Sequence, residues 1–222
     1  MQRPRKIEWR QYPWFYAVIG LAALGIQLIP GAREALIYHR GAIAAGDVWR
    51  LWTGHLVHFG WPHLVADTGL LLILGWLLGR AHRHFSALAF LLMPLFISGV
   101  LYGFDRGMIR YAGLSAVDFG LLVYLALQGW QRKWTDWFWP AVLAIYIGEV
   151  VFETVQGGRG GGMIPFDDPG VTVATSAHVA GAVYAVLAWL LSRRGQARAS
   201  SAPPHPDRQP APPAETPTRA PE

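Results

Sequence analysis

The chain has 222 residues, 53% of them hydrophobic and 15% charged, against about 25% charged in an ordinary soluble domain. Mean hydropathy is +0.26 although the last segment is polar and proline-rich, so a large soluble catalytic domain is excluded and a polytopic membrane protein is expected. The absence of cysteine excludes disulfides, thiolate metal sites, iron–sulfur clusters and a cysteine nucleophile.

The net charge of +5 comes almost wholly from arginine. Those arginines sit at the ends of apolar segments, where they orient a chain in a bilayer. Nucleic acid is therefore not expected as a partner.

Residues 1–12 form a basic segment with Arg3, Arg5, Lys6 and Arg10. Six stretches then approach the roughly 20 apolar residues needed to cross a hydrocarbon core about 30 Å thick. They are Trp14–Pro30, Trp61–Gly79, Ser86–Phe104, Gly113–Trp130, Trp137–Val155 and Val171–Leu191. The pattern predicts an all-α fold, a six-transmembrane-helix bundle over residues 13–194. The first stretch ends in Leu-Ile-Pro-Gly without an Ala-x-Ala site, so it reads as a retained helix and not a cleaved leader. Arg80 and Arg83, Arg132 and Lys133, and Arg193, Arg194 and Arg198 follow the second, fourth and sixth stretches. With the basic leader they fall on one side, which predicts that both termini are cytoplasmic. Trp9, Trp14, Trp49, Trp52, Trp61, Trp130, Trp134, Trp137 and Trp139 cluster near the ends of the stretches, where amphipathic rings favour the interface. The loop Gly157–Gly170 is too rich in Gly and Pro to hold a fixed helix, so composition reads it as mobile, with a lid as its expected role. Residues 195–222 cannot bury a core and read as a disordered Pro-rich cytoplasmic tail.

Polar groups inside apolar segments are costly, so each is a functional candidate. The second stretch opens His55-Leu-Val-His58-Phe-Gly-Trp-Pro-His63-Leu-Val-Ala-Asp67. Pro62 suits a first helical turn, which puts His63 and Asp67 one turn apart on one face. His63 could donate to an oxyanion. Alternatively His55, His58 and His63 with the carboxylate could hold a metal ion.

Ser115 follows a Gly-Leu pair at the start of the fourth stretch. Free N–H groups and the dipole of a helix start would stabilise negative charge there, and Gly113 permits a tight bend. An N-cap or packing serine is the alternative. His178 lies in the sixth stretch between Ala174, Ala177, Gly181 and Ala185, small residues that let a neighbouring helix come close. A neutral imidazole there could take a proton from a serine, or could serve packing alone.

Trp49-Arg50, then His58, His63 and Asp67, then Gly113-Leu114-Ser115-Ala116, then Ala177-His178-Val179-Ala180-Gly181 resemble, in that order and spacing, the rhomboid intramembrane serine proteases. The resemblance covers about residues 10–195. It implies Ser115 as nucleophile, His178 as general base of a two-residue dyad, and His63 with the Ser115 N–H in the oxyanion hole, where Asp67 stands at a position the family usually fills with Asn. It also implies structural roles for Trp49, Arg50 and His58, and packing of Phe119 against His178. An ionised Asp67 cannot donate to an oxyanion, so either it carries a proton or the hole relies on His63 and backbone amides. Ala116 replaces a common glycine. The compact core and Tyr-x-Gly-Leu-Ser segment look most like the bacterial rhombosortase branch, which acts on proteins with a carboxy-terminal Gly-Gly-type membrane anchor.

The expected function is intramembrane proteolysis of membrane-anchored proteins, without a cofactor, in the bacterial inner membrane with the site toward the periplasm. A catalytically inactive binder of transmembrane segments and a His-ligated metal protein are the rival readings. Asp118, Glu149 and Glu153 receive no role, and oligomeric state is not encoded in any recognisable feature.

Overall fold

The computed structural model describes residues 14–81, 87–133, 135, 137–155 and 174–201. In chain order these form α1 (Trp14–Leu28), the short α2 (Ala32–Leu36), β1 (Tyr38–His39), α3 (Arg40–Ala44) and α4 (Arg50–Thr53), then a 3-10 turn at Gly54–Leu56. There follow α5 (Trp61–Ala81), α6 (Ala87–Phe104), β2 (Arg110–Tyr111), α7 (Ser115–Arg132), α8 (Phe138–Val155) and α9 (Thr175–Ser201).

Among the described residues each of the six apolar stretches overlaps one long helix, with ends displaced by a few residues except at the end of α9, which runs ten residues past Leu191. By length and hydropathy, two segments among the described residues qualify as membrane-crossing helices, Trp61–Gly79 and Thr175–Arg194. Trp14–Leu28, Leu88–Phe104 and Phe138–Phe152 are shorter apolar helices, and α7, interrupted by Asp118 and Gln128, falls in neither group. The expected count of six spans thus rests on these criteria at two helices.

α7 is the central helix, touching α5, α6, α8 and α9. Its Val117, Leu121, Leu122, Tyr124 and Leu125 are buried together with Leu71 and Leu74 of α5, Phe90, Met93 and Ile97 of α6, and Ala177, Ala180 and Ala185 of α9. The outer faces carry large exposed aliphatic side chains, among them Val18 and Leu21 on α1, Leu88 and Leu95 on α6, Ile145 and Val151 on α8, and Leu187 and Leu191 on α9. A surface so apolar suits hydrocarbon and not water, and in hydrocarbon a helix satisfies its own backbone polar groups.

The segment between α1 and α5 is built differently from the six-helix expectation. Tyr38 pairs with Tyr111 and His39 with Arg110 in a short antiparallel ladder. Arg40 then sends its guanidinium to the carbonyls of Leu101, Tyr102 and Asp105 at 2.8–3.0 Å, satisfying acceptors that the end of α6 leaves open. Arg50 bonds the Asp47 carboxylate at 2.9 Å and the carbonyls of Glu34 and Ile37, also at 2.9 Å. These two arginines fasten the segment to itself and to α6, giving the start of α5 and of α7 a fixed frame.

At its other end α9 runs on to Ser201, into the region that composition assigns to the tail. Arg, Gln and Ala after Leu191 are good helix formers, and the first proline comes only at Pro203. Residues 1–13, the Gly157–Gly170 loop, Arg83, Trp134 and the chain after Ser201 lie outside the described residues, as do the side chains of Glu149 and Glu153.

Candidate active site

One end of the bundle gathers the starts of α5, α7 and α9. α7 and α9 run parallel: Phe119 meets His178 near their starts, with ring centroids 5.9 Å apart, and Trp189 donates to Gln131 at 3.1 Å near their far ends. Between these points the helices touch through backbone. A β-carbon on Gly120 would stand 2.8 Å from the Gly181 carbonyl, and one on Gly181 would collide with the Ala116 carbonyl. Small residues here allow an approach that larger ones forbid.

Ser115 is the first residue of α7, with Leu114 at the N-cap position and no side-chain cap. The free amides of Leu114 and Ser115 instead donate to one oxygen, Asp67 Oδ2, at 2.8 and 3.1 Å. His63 and Asp67 face each other one turn apart on α5, with Nε2 3.1 Å from that same Oδ2. His58 Nε2 comes to 3.3 Å of it without the alignment of a hydrogen bond. Four nitrogens thus converge on one carboxylate oxygen, and Asp67 is 2% exposed. Such a cluster of N–H donors at a helix start is an anion pocket.

Gly113 makes the pocket possible. Its φ is +113°, and a β-carbon would lie 2.7 Å from His63 Nε2 and 3.1 Å from Asp67 Oδ2. The Tyr111 hydroxyl donates to the Gly113 carbonyl at 3.1 Å and so holds the bend. Burial raises the Tyr111 hydroxyl above the usual phenol range, which keeps it a neutral donor.

His178 is buried on α9, and neither ring nitrogen has a hydrogen-bond partner among the described residues. No hydrogen bond therefore joins it to Ser115 Oγ. Its ring is lodged against Phe119, as the sequence resemblance implies, and against Tyr146 of α8 at 6.3 Å. Tyr146 also stacks on Phe119 at 5.1 Å, and its hydroxyl lies 3.5 Å from the Ser115 carbonyl. Sequence reasoning missed Tyr146; its one signal is a phenol in the middle of an apolar helix. The Leu114 amide was missed as well, since nothing in a side-chain pattern marks a backbone donor.

The other sequence candidates fall into place around this core. Trp49 is half exposed, its indole N–H 3.4 Å from the Ala35 carbonyl, and Arg50 is the tie described above. His55 turns away from His58 and His63 to bond Ser98 Oγ at 3.0 Å, and burial lowers it to about 4. The three histidines do not converge, and among the described residues no group of three or more His, Asp or Glu could hold a metal ion. Asp118 is fully buried one turn past Ser115 with no hydrogen-bond partner for either oxygen among the described residues, so it does not reach solvent.

At the entrance of α9, Ser176 Oγ donates to Asp105 Oδ2 at 2.6 Å. The carbonyl of that same Asp105 receives Arg40. A chain of contacts from α3 through the end of α6 thus anchors α9 two residues before His178.

No curated protein matches the chain. The rhomboid domain family does, over residues 45–194, a range that holds Trp49-Arg50, His55, His58, His63, Ser115 and His178. The chain belongs to the rhomboid family, whose members are generally intramembrane serine proteases.

Proposed function

We propose that this membrane protein is an intramembrane serine endopeptidase in which Ser115 is the nucleophile and His178 the general base. The observation that carries the reading is the pocket at the start of α7. Two backbone amides and His63 are aimed at one anionic oxygen directly beside Ser115, the arrangement that stabilises the oxyanion of acyl transfer. His178 lies on α9, which packs backbone to backbone against α7 at Ala116 and Gly120, and its ring meets Phe119, four residues past Ser115. A hydrogen bond between nucleophile and base is often long in an unliganded enzyme and tightens when substrate binds.

In this reading a substrate helix unwinds near small residues to expose a carbonyl. Ser115 attacks as His178 takes its proton, the oxyanion enters the amide pocket, and His178 then protonates the leaving amine. Water hydrolyses the acyl-enzyme from the side on which α5, α7 and α9 begin. With both termini in the cytoplasm and six spans, that side is the periplasm of a bacterial inner membrane. Substrates are membrane-anchored proteins, in the rhombosortase-like version those with a carboxy-terminal Gly-Gly-type anchor.

The test is labelling of purified full-length protein by a fluorophosphonate, a covalent probe of activated serines. The wild type is expected to react, and Ser115→Ala and His178→Ala to abolish the reaction while remaining folded. An unreactive wild type, or a reactive Ser115→Ala, removes the protease reading. One observation favours the rival reading of an inactive binder of transmembrane segments: a carboxylate, Asp67, occupies the pocket that an oxyanion would need. On that reading a membrane partner co-purifies with the protein and the probe leaves it unlabelled.

A further inference from the structure

The difficulty posed by Asp67 contains its own resolution, in the proton count around Oδ2. The Leu114 and Ser115 amides each bring a hydrogen to it. His63 Nδ1 accepts from the Phe59 N–H at 3.4 Å, so a neutral His63 carries its hydrogen on Nε2, facing Oδ2. His58 is arranged the other way. Its Nδ1 lies 3.2 Å from the Leu56 carbonyl, and because a carbonyl only accepts, Nδ1 must carry a hydrogen. A neutral His58 would then hold a bare Nε2 lone pair 3.3 Å from a carboxylate oxygen, off the line of a hydrogen bond, in a place where both side chains are at most 3% exposed. Such a contact repels, and a buried carboxylate without a compensating positive charge is costly even when it is hydrogen-bonded. One more proton between His58 and Asp67 turns repulsion into attraction and makes the pair neutral. The Tyr111 hydroxyl is committed to the Gly113 carbonyl, and His178 has no hydrogen-bond contact with the cluster, so the proton belongs to His58 and Asp67.

We propose that His58 and Asp67 hold one mobile proton that switches the pocket between a resting and a working state, a step that rests on the protease reading above. At rest the proton is on His58 Nε2, and the Asp67 carboxylate occupies the Leu114 and Ser115 amides as a resident anion. When a substrate oxyanion forms, the His58 ring turns its Nε2–H into line with Asp67 Oδ2 and the proton passes from one to the other. No heavy-atom bond forms or breaks in that transfer, and the pair stays neutral throughout. Asp67, now a carboxylic acid, releases the two amides to the oxyanion and donates its own O–H to it, as a neutral side chain at that position would. His58 acts through Asp67 and is a positioning residue, not a catalytic one.

The experiment is a double-mutant cycle on full-length protein, read as the rate of fluorophosphonate labelling of Ser115. His58→Gln, which has no proton to give, is expected to slow labelling about 10²-fold in the Asp67 background, the effect of losing one oxyanion donor. In the Asp67→Asn background, where the amide donates without any transfer, His58→Gln is expected to change the rate within about twofold. Equal losses in both backgrounds mean a merely structural His58 and overturn the proposal. Ring ¹⁵N spectra of histidine-labelled protein test the resting state without touching His58. Both His58 ring nitrogens are expected to be protonated in the wild type, and only one in Asp67→Asn. A neutral His58 in the wild type overturns the proposal whatever the variants do. A wild type inert to the probe sinks the protease reading and the switch together, whereas a reactive wild type with additive losses sinks the switch alone.

Discussion

The carbonyl of Ala116 on α7 fills the space that a side chain on Gly181 of α9 would need, so the two helices touch backbone to backbone. The contact sits one residue past Ser115 and three past His178, and any widening of it moves those two residues apart.

Gly181→Ala is accordingly expected to cost about 1–3 kcal/mol, the usual range for forcing a methyl into a packed contact, and to reduce fluorophosphonate labelling more than melting temperature. Gly148→Ala on α8 is the control. Nothing lies within 4 Å of a β-carbon there, so it should leave melting unchanged or raise it slightly, as alanine is the better helix former. Equal behaviour of the two variants in detergent melting and in labelling would contradict the close-contact account.

Gly113→Ala combines backbone strain with a steric demand. Its φ of +113° is one an alanine rarely adopts, costing about 1–3 kcal/mol, and the new methyl must push His63 or Asp67 aside. Displacing His63 removes one donor from the proposed oxyanion pocket, so the labelling rate should fall about 10²-fold. Retention of the wild-type rate would mean that His63 contributes nothing to the pocket.

Much of this was legible in the chain. Apolar stretches bounded by Trp and Arg marked the long helices because hydrocarbon leaves a helix few alternatives. Pro62 before His63, and Asp67 four residues on, fixed a shared face from helical periodicity alone. What could not be read was pairing in three dimensions. That Asp67 reaches across to the Leu114 and Ser115 amides depends on how α5 meets α7, and that Tyr146 closes on His178 depends on where α8 lies. The β1–β2 pairing escaped notice because two residues on each strand leave no alternation to detect. Helix α9 overran its expected end because the polar residues after Leu191 are helix formers, while composition weighed them with the proline-rich stretch that follows.

Phe119 and Tyr146 confine the His178 ring from two sides, and among the described residues no hydrogen bond orients it. Phe119→Ala should therefore free the imidazole to rotate. An edge-to-face aromatic contact is worth about 0.5–1.5 kcal/mol, which corresponds to a loss of up to about tenfold in labelling rate. Phe119→Tyr, which keeps the ring, should lose far less. If both variants lose equally, keeping the ring does not protect the rate, and the contact of Phe119 with His178 is not what holds the imidazole in place.

His55 gives a pH dependence that is separate from the reaction. It is buried in the 3-10 turn against Ser98 and the Tyr111 ring, and burial lowers it to about 4 from an ordinary value of 6.5. Between those two values the unfolded chain binds a proton that the folded chain refuses. Stability from the neutral imidazole is thus complete above about pH 6.5 and is lost as pH falls toward 4, by up to about 3 kcal/mol in all. His55→Asn keeps a group able to bond Ser98 and carries no titrating proton. The melting temperature of the wild type in detergent should fall further than that of His55→Asn between neutral pH and about pH 4.5. Parallel curves for the two proteins would show that His55 is hydrated or already charged in the folded state, and that the turn before α5 is looser than its contacts indicate.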